Sequence, residues 1–309
     1  MAEYRGIVEG GLPNHTRLDR YVSEQLGFFS RSQCRARNLS ARVNGIAVKL
    51  SRIIKSGDLL ELSWVELEPT LIIPEDLPLD ILYEDDRVVV INKRQGIVVH
   101  PGAGNYSGTL ANALAFRNAA FLNAALRNAE PDVLGMRPGI VHRLDKDTSG
   151  VIIASYDVEA HALLADQFKA RKVRKVYGAL VKGTPEIKRG RISTRLARDP
   201  RNRKRFAISQ TTGKLAISHY RVVKSWGSYS LLALRPITGR THQLRVHMRY
   251  LGFPILGDPL YGNKDPRVPK ATLMLHSKSL SLVLPGECER RTFATPLPKR
   301  FYRAIQLIN

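Results

Sequence analysis

The chain has 309 residues, 43% of them hydrophobic, which is enough for a sizeable core and favours two domains. Its 49 Lys and Arg against 27 Asp and Glu leave a net charge of +22, which calls for a polyanionic partner: nucleic acid first, an anionic membrane surface second. No apolar run is long enough to span a bilayer, and Met1–Gly11 carries Glu3, Arg5 and Glu9 in place of a signal pattern, so the expectation is a soluble cytoplasmic protein. Cys34 and Cys288 are too few for a cysteine zinc site, and the eight histidines form no HExxH, so no metal is expected.

Residues 16–64 read as a compact basic module. Thr16 is placed to cap a first helix whose Leu18, Val22 and Leu26 share one face. Ser30-Arg-Ser-Gln33 fits a capping box for a second helix bearing Arg31, Arg35 and Arg37. Asn44-Gly45 predicts a hairpin turn, because both residues readily take positive φ, and Leu59–Trp64 predicts a strand. From Arg17 to Lys55 nine basic residues face two acidic ones, Asp19 and Glu24, which suggests a surface turned to phosphate. Residues 56–86 then hold ten acids and no Lys or Arg, with Pro69, Pro74 and Pro78, and predict an acidic linker over 65–80.

Ile81–Tyr83 and Val88–Ile91 predict strands, Lys93–Gly96 a turn, and Thr109–Phe116 a helix. The glycine-rich His100–Gly108 matches neither a dinucleotide fingerprint nor a Walker A loop. Arg117–Met136, rich in Ala and Asn, reads as an insertion. Gly139-Ile-Val-His142-Arg143-Leu-Asp145-Lys146-Asp147-Thr-Ser-Gly150 is a charged loop that opens into the apolar run Val151–Ala154. A loop anchored on a buried strand is held rigidly, and a carboxylate among cations favours its ionised form, which makes Asp145 a nucleophile or charge stabiliser.

A helix is predicted from Asp157 to Phe168, with Ala160, Leu163, Leu164 and Phe168 on its apolar face. A basic run through Lys175 leads into the strand Val176–Val181, where Tyr177 is placed to pack or to stack on a base. Residues 182–205 hold nine basic residues between Lys188 and Arg205 and predict a backbone-binding track. Lys214–Tyr220 and Tyr229–Leu234 read as neighbouring antiparallel strands. Thr241 is expected to cap a helix that Gly252 ends, with Leu244, Met248 and Leu251 facing the core and His242, Arg245 and Arg249 on another face. Arg245, fixed just inside that helix, is the expected fork-shaped partner of Asp145. Leu273–Leu284 and Thr292–Leu297 read as edge strands before a Pro-rich close.

Arg17-Leu-Asp19, Ser30-Arg31-Ser32, Val43-Asn44-Gly45 and Gly57-Asp58 resemble the S4 RNA-binding domain, although Arg35-Ala-Arg37-Asn-Leu-Ser-Ala replaces its usual apolar stretch. From 80 to 300 the chain resembles the RluA-type pseudouridine synthases, in the subgroup of RluD and RluC. The motifs that carry this are the Gly139–Gly150 loop, Lys175-Val-Tyr177, Lys214 near Ala216, Pro236–His247, Pro254-Ile-Leu-Gly-Asp258 and Leu275-His276. Arg94, where the family usually has proline, and the Arg117–Met136 insertion depart from it.

The resemblance implies an α+β fold: a mixed, mainly antiparallel catalytic domain over 81–309 behind a small α/β S4 domain. It implies isomerisation of RNA uridines without a cofactor, on large-subunit ribosomal RNA first and transfer RNA second. Asp145 would be the essential aspartate, Tyr177 the stacking aromatic, Arg245 the partner of the aspartate, and Arg143 the residue that fills the gap left by a flipped uridine. His142, Arg240, Lys175, Arg17, Arg31 and Arg35 complete the candidate RNA-binding set, and a monomer is the expected state. Among other classes, a protein kinase is prompted by His142-Arg-Leu-Asp145, but the intervening Leu144 and the lack of DFG weigh against it. An RNA methyltransferase lacks its glycine-rich cofactor loop. An inert RNA-binding or ribosome-assembly protein is opposed by the presence of Asp145, Tyr177 and Arg245.

Overall fold

The computed structural model describes residues 2–13, 15–29, 33–34, 37–65, 72–102, 104–125 and 139–309, with backbone only over 119–125. The chain divides into two compact units, Met1–Thr70 and Leu71–Asn309.

In the first unit a four-stranded sheet of order β1-β4-β2-β3 comprises β1 (Ala2–Ile7), β2 (Ser40–Val43), β3 (Ile46–Val48) and β4 (Leu59–Trp64). Helix α1 (Leu18–Glu24) buries Leu18, Tyr21 and Val22 in one core with Ile54, Leu60 and Leu62. The Asn44-Gly45 turn takes positive φ at both residues and joins β2 to β3. Two expectations change here. Arg17, not Thr16, is the N-cap of α1, because the Thr16 hydroxyl donates back to the Pro13 carbonyl. The sheet also gains β1, antiparallel to β4, ahead of the expected start at residue 16. The Ser30 capping box, Arg31 and Arg35 lie outside the described residues.

The second unit is built on one mixed sheet of order β10-β9-β11-β12-β8-β13-β7-β6-β5, with β14 also paired to β13. Its strands are β5 (Ile81–Glu84), β6 (Val88–Lys93), β7 (Ser149–Ser155), β8 (Arg174–Lys182), β9 (Arg189–Arg198), β10 (Phe206–Ser209), β11 (Lys214–Trp226), β12 (Tyr229–Pro236), β13 (Leu275–Val283) and β14 (Arg290–Ala294). Strands β6 and β7 read as continuous apolar runs because both faces are covered. Val89, Ile91, Ile152 and Ala154 enter one core, and Val88, Val90, Val151 and Ile153 another. The two halves of the sheet meet where β7 runs parallel to β13 for two residue pairs, Ser149 to His276 and Gly150 to Ser277. Strand β13 is therefore interior, not the edge strand its sequence suggested.

Among the described residues four helices complete the unit: α2 (Leu110–Ala125), α3 (Val158–Lys169), α4 (Gln243–Tyr250) and α5 (Lys299–Ile308). Helix α2 runs nine residues past Phe116 into the stretch read as an insertion, and residues 126–138 of that stretch lie outside the described residues. Helix α3 starts as expected, with the Asp157 carboxylate accepting the Ala160 N–H, but Leu163 is exposed. Helix α5 was not expected; Phe301, Ala304 and Ile308 bury one face of it. The acidic stretch also stops being a linker before residue 80. The Asn112 side chain donates to Ile73 O, Glu75 N–H to Asn112 O, and Gly108 N–H to the Glu75 carboxylate, which joins 73–80 to the second unit.

Candidate active site

The Gly139–Gly150 loop is closed at both ends by glycines that sit against neighbouring backbone. Gly139 has φ +56°, and a Cβ there would lie 1.6 Å from Ser155 O; Gly150 has φ +113°, and its Cβ would lie 2.2 Å from Ser277 O. No other residue fits either close approach. Between them Leu144 is buried and Thr148 N–H donates to Asp145 O. The turn after β6 holds the loop from below. Lys93, 2% exposed, donates from Nζ to the carbonyls of Arg94 (3.0 Å), Ile97 (2.8 Å) and Lys146 (3.2 Å), and Gln95 donates to Asp147 O and Leu273 O. Burial pulls the Lys93 ammonium down to about 8, against the opposing pull of Asp145 and Asp147.

Above the loop opens a cavity of about 500 Å³, of a size for a small molecule or one nucleotide. Asp145, Tyr177, Arg245, His142, Arg143, Arg240 and Lys175 all line it. Tyr177 stands on β8 opposite Leu234 of β12, and burial pushes its phenol up to about 12, so the ring is neutral. The Asp145 side chain is 19% exposed; Oδ2 accepts Arg245 Nη1 at 3.4 Å, and Oδ1 has no partner among the described residues. The site therefore presents one carboxylate oxygen to whatever fills the cavity.

Arg245 differs from its expected arrangement. Its Nε and Nη2 both donate to Asp258, each at 2.8 Å, so the bidentate fork belongs to Asp258 and only Nη1 reaches Asp145. The physical reason is burial: a guanidinium only 4% exposed needs a carboxylate fixed beside it, and the turn carrying Asp258 supplies one. Asp258 accepts further N–H groups from Leu260 and Tyr261. Burial would raise its carboxyl, but the Arg245 guanidinium and these N–H groups hold it below the usual carboxylate range.

Helix α4 is capped by His242, not Thr241, in a left-handed conformation (φ 55°) that non-glycine residues adopt at a cost of about 1–3 kcal/mol. Gln243 ties the helix to the sheet, accepting from Thr238 Oγ1 and donating to Ser218 Oγ. His242 Nδ1 lies 2.8 Å from the Tyr261 hydroxyl, which accepts Phe206 N–H. The network closes when Tyr261 donates to Nδ1, leaving the ring proton on Nε2, 3.9 Å from Asp145 Oδ2. Burial lowers the His242 pKa, and Asp145 opposes this.

The other candidates divide by their contacts. His142 is not one of the cations around Asp145: its Nε2 accepts Ile153 N–H, its ring stacks on Phe168 at 4.5 Å, and burial lowers it to about 3. It walls the cavity as a neutral ring. Lys175 Nζ sits 5.8 Å from the Phe168 ring centroid, and burial lowers its pKa. Arg240 is held by Leu215 O, and Arg143 is exposed on the rim without a carboxylate partner among the described residues. Arg17, in the first unit, is paired with the buried Asp19 through both Nε and Nη2. Asp258, Phe168, His242 and Lys93 were not singled out as site residues from the sequence. The available signal for Asp258 was its place after Pro254-Ile-Leu-Gly257, since an arginine buried on a packed helix demands an acid from elsewhere.

A mixed, mostly antiparallel sheet that sets a carboxylate, an aromatic and an arginine in one cavity of a basic chain defines an enzyme class that works on nucleic acid. The RNA pseudouridylate synthase family matches residues 87–250. The ribosomal large subunit pseudouridine synthase D of Borreliella burgdorferi is 43% identical over 294 residues, covering 93% of this chain and 88% of that protein. An uncharacterized RNA pseudouridine synthase of Chlorobaculum parvum is 41% identical over 313 residues, covering 94% of each. Among solved structures, human RNA pseudouridylate synthase domain containing 4 superposes with a TM-score of 0.57 at 25% identity, over 74% of this chain and 92% of that one. Human RNA pseudouridylate synthase domain containing 1 gives 0.55 at 28% identity, over 74% and 86%. The chain belongs to the RNA pseudouridylate synthase family and is an RNA pseudouridine synthase.

Proposed function

We propose that this enzyme converts particular uridines of large-subunit ribosomal RNA to pseudouridine, with Asp145 as the reacting carboxylate. The unshared Asp145 Oδ1 at the cavity, with Arg245 on the other oxygen, is the observation that carries the assignment. The reaction breaks the N1–C1′ bond, turns the base and joins C5 to C1′; N1 gains a proton and the C5 hydrogen leaves to solvent. A stacked uridine cannot reach the cavity, so it must be flipped out, with Tyr177 against its face and Arg143 entering the vacated place. The first unit, with exposed Arg42, Lys49, Arg52 and Lys55, serves as an S4-like hold on the RNA backbone. Relatives from Borreliella burgdorferi and Xanthomonas campestris named for the ribosomal large subunit support that substrate. Mapping pseudouridines in cells lacking the protein tests it: missing sites in large-subunit RNA, restored by the wild-type chain and not by Asp145→Asn, are expected. Loss confined to transfer RNA would overturn the substrate assignment.

A further inference from the structure

The pleat of the outer half of the sheet sorts its side chains between two faces. Pro236, Leu234, Ser218 and Ile192 share the face that carries the cavity and α4, as the bonds from Gln243 and His247 to Ser218 show. The intervening residues point the other way. Register places Arg189 opposite Arg221, and places His219 between Arg191 on one side and Arg235 on the other. Arg195 lies on the same face two repeats further along β9, beyond Ser193. Five of the six are exposed and His219 is half-buried; none is ion-paired with a carboxylate among the described residues.

Cations placed directly opposite one another repel, and without acids between them they make the face less stable than alternating charges would. Strands about 4.8 Å apart and a repeat of about 7 Å along each strand turn the six into a rigid two-dimensional array. A flexible acidic peptide gains little from such a grid, whereas a backbone of regularly spaced phosphates can meet several arginines at once. The array faces away from the cavity, so the RNA segment that enters the active site does not reach it.

We infer that this face is a second docking surface for RNA, which holds a helix of the folded substrate remote from the target uridine and gives the enzyme a preference for large structured RNA over an isolated stem-loop. The inference takes RNA as the occupant from the assignment of the active site, and concerns a different surface.

The variant R191E/R221E/R235E tests it, against K264E/K270E/R303E as an equal change of charge elsewhere on the surface. Both are compared with wild type by circular dichroism, by filter binding to a structured large-subunit RNA fragment over a salt series, and by turnover of that fragment and of a stem-loop bearing the same uridine. The expected result is a KM for the large fragment raised tenfold or more and a binding slope against log salt reduced by roughly two to three, as expected for three lost phosphate contacts. Turnover of the stem-loop stays within twofold. Unchanged affinity for the large fragment, an equal loss on both substrates, or the same loss in the control variant would each overturn the inference. Turnover by wild type of the large fragment alone accords with the inference; should wild type turn over neither RNA, the active-site assignment fails, while the salt slopes on the large fragment still decide the docking face.

Discussion

Arg245 carries two carboxylates with different needs: Asp258 takes its fork, and Asp145 takes the remaining nitrogen. Lysine offers one centre of charge and cannot serve both. Arg245→Lys is therefore expected to lower kcat at least 10²-fold, since a misplacement of about 1 Å at the reacting group has that effect. Asp258→Asn is the sharper probe, because it leaves every reacting group in place. It should cost about 3 kcal/mol of stability by unpairing a buried cation, and should lower kcat with little change in KM, measured by denaturant melts and steady-state turnover. Normal kcat in Asp258→Asn would contradict a positioning role. At this scale Asp145, Tyr177 and Arg245 were legible as residues in extended motifs, but the fork's true partner was not. It depends on the turn at Gly257–Tyr261 folding against α4, a contact that no local spacing records.

The catalytic loop owes its shape to two glycines and one lysine. Gly150→Ala would put a methyl 2.2 Å from Ser277 O at a φ of +113°, so the β7–β13 seam should fail to close. Little folded protein is expected, with melting well below wild type in any that is recovered. Lys93→Met leaves three carbonyls without their donor, and should reduce kcat while leaving the RNA dissociation constant within a few-fold. Wild-type turnover should decline as pH rises through about 8, where Lys93 loses its charge, and Lys93→Met should lack that decline. Stability moves oppositely. The unfolded lysine keeps its proton to about 10.4, so between about 8 and that value the unfolded state binds more protons and stability rises with pH. Elements with strong local signals were legible: the Asn44-Gly45 hairpin, the strand Leu59–Trp64 and the capped start of α3. Helix α5 was not, because Pro296 and Pro298 mask the periodic Phe301, Ala304 and Ile308 behind them. Strand β13 looked like an edge because of its alternating serines, of which Ser277 and Ser281 are buried against neighbouring strands and Ser279 is half-buried.

Over the whole molecule, positive charge is plentiful while several titratable groups are buried uncharged. His142, His247 and His276 are held neutral by burial, with pKa values pulled down to about 3, about 4 and about 4. The unfolded chain protonates its histidines near 6.5, so between 6.5 and 4 it takes up protons that the folded state refuses. Stability should thus fall as pH drops through that window, by up to ~1.4 kcal/mol per pH unit for each histidine. His247→Gln, which can keep bonds to Ser218 and Thr194, should flatten the slope by about one proton in chemical melts. The α+β class and the RNA partner were legible in the charge of +22 and the motif order. The separation of cations between a cavity face and an opposite face was not, since it follows from strand register.

The most direct test uses RNA labelled with tritium at C5 of uridine, incubated with wild type and with Asp145→Asn, with RNA binding measured in parallel. The account predicts that wild type releases tritium in step with pseudouridine formed, whereas Asp145→Asn binds the RNA within a few-fold of wild type and releases none. Sustained release by Asp145→Asn would contradict it.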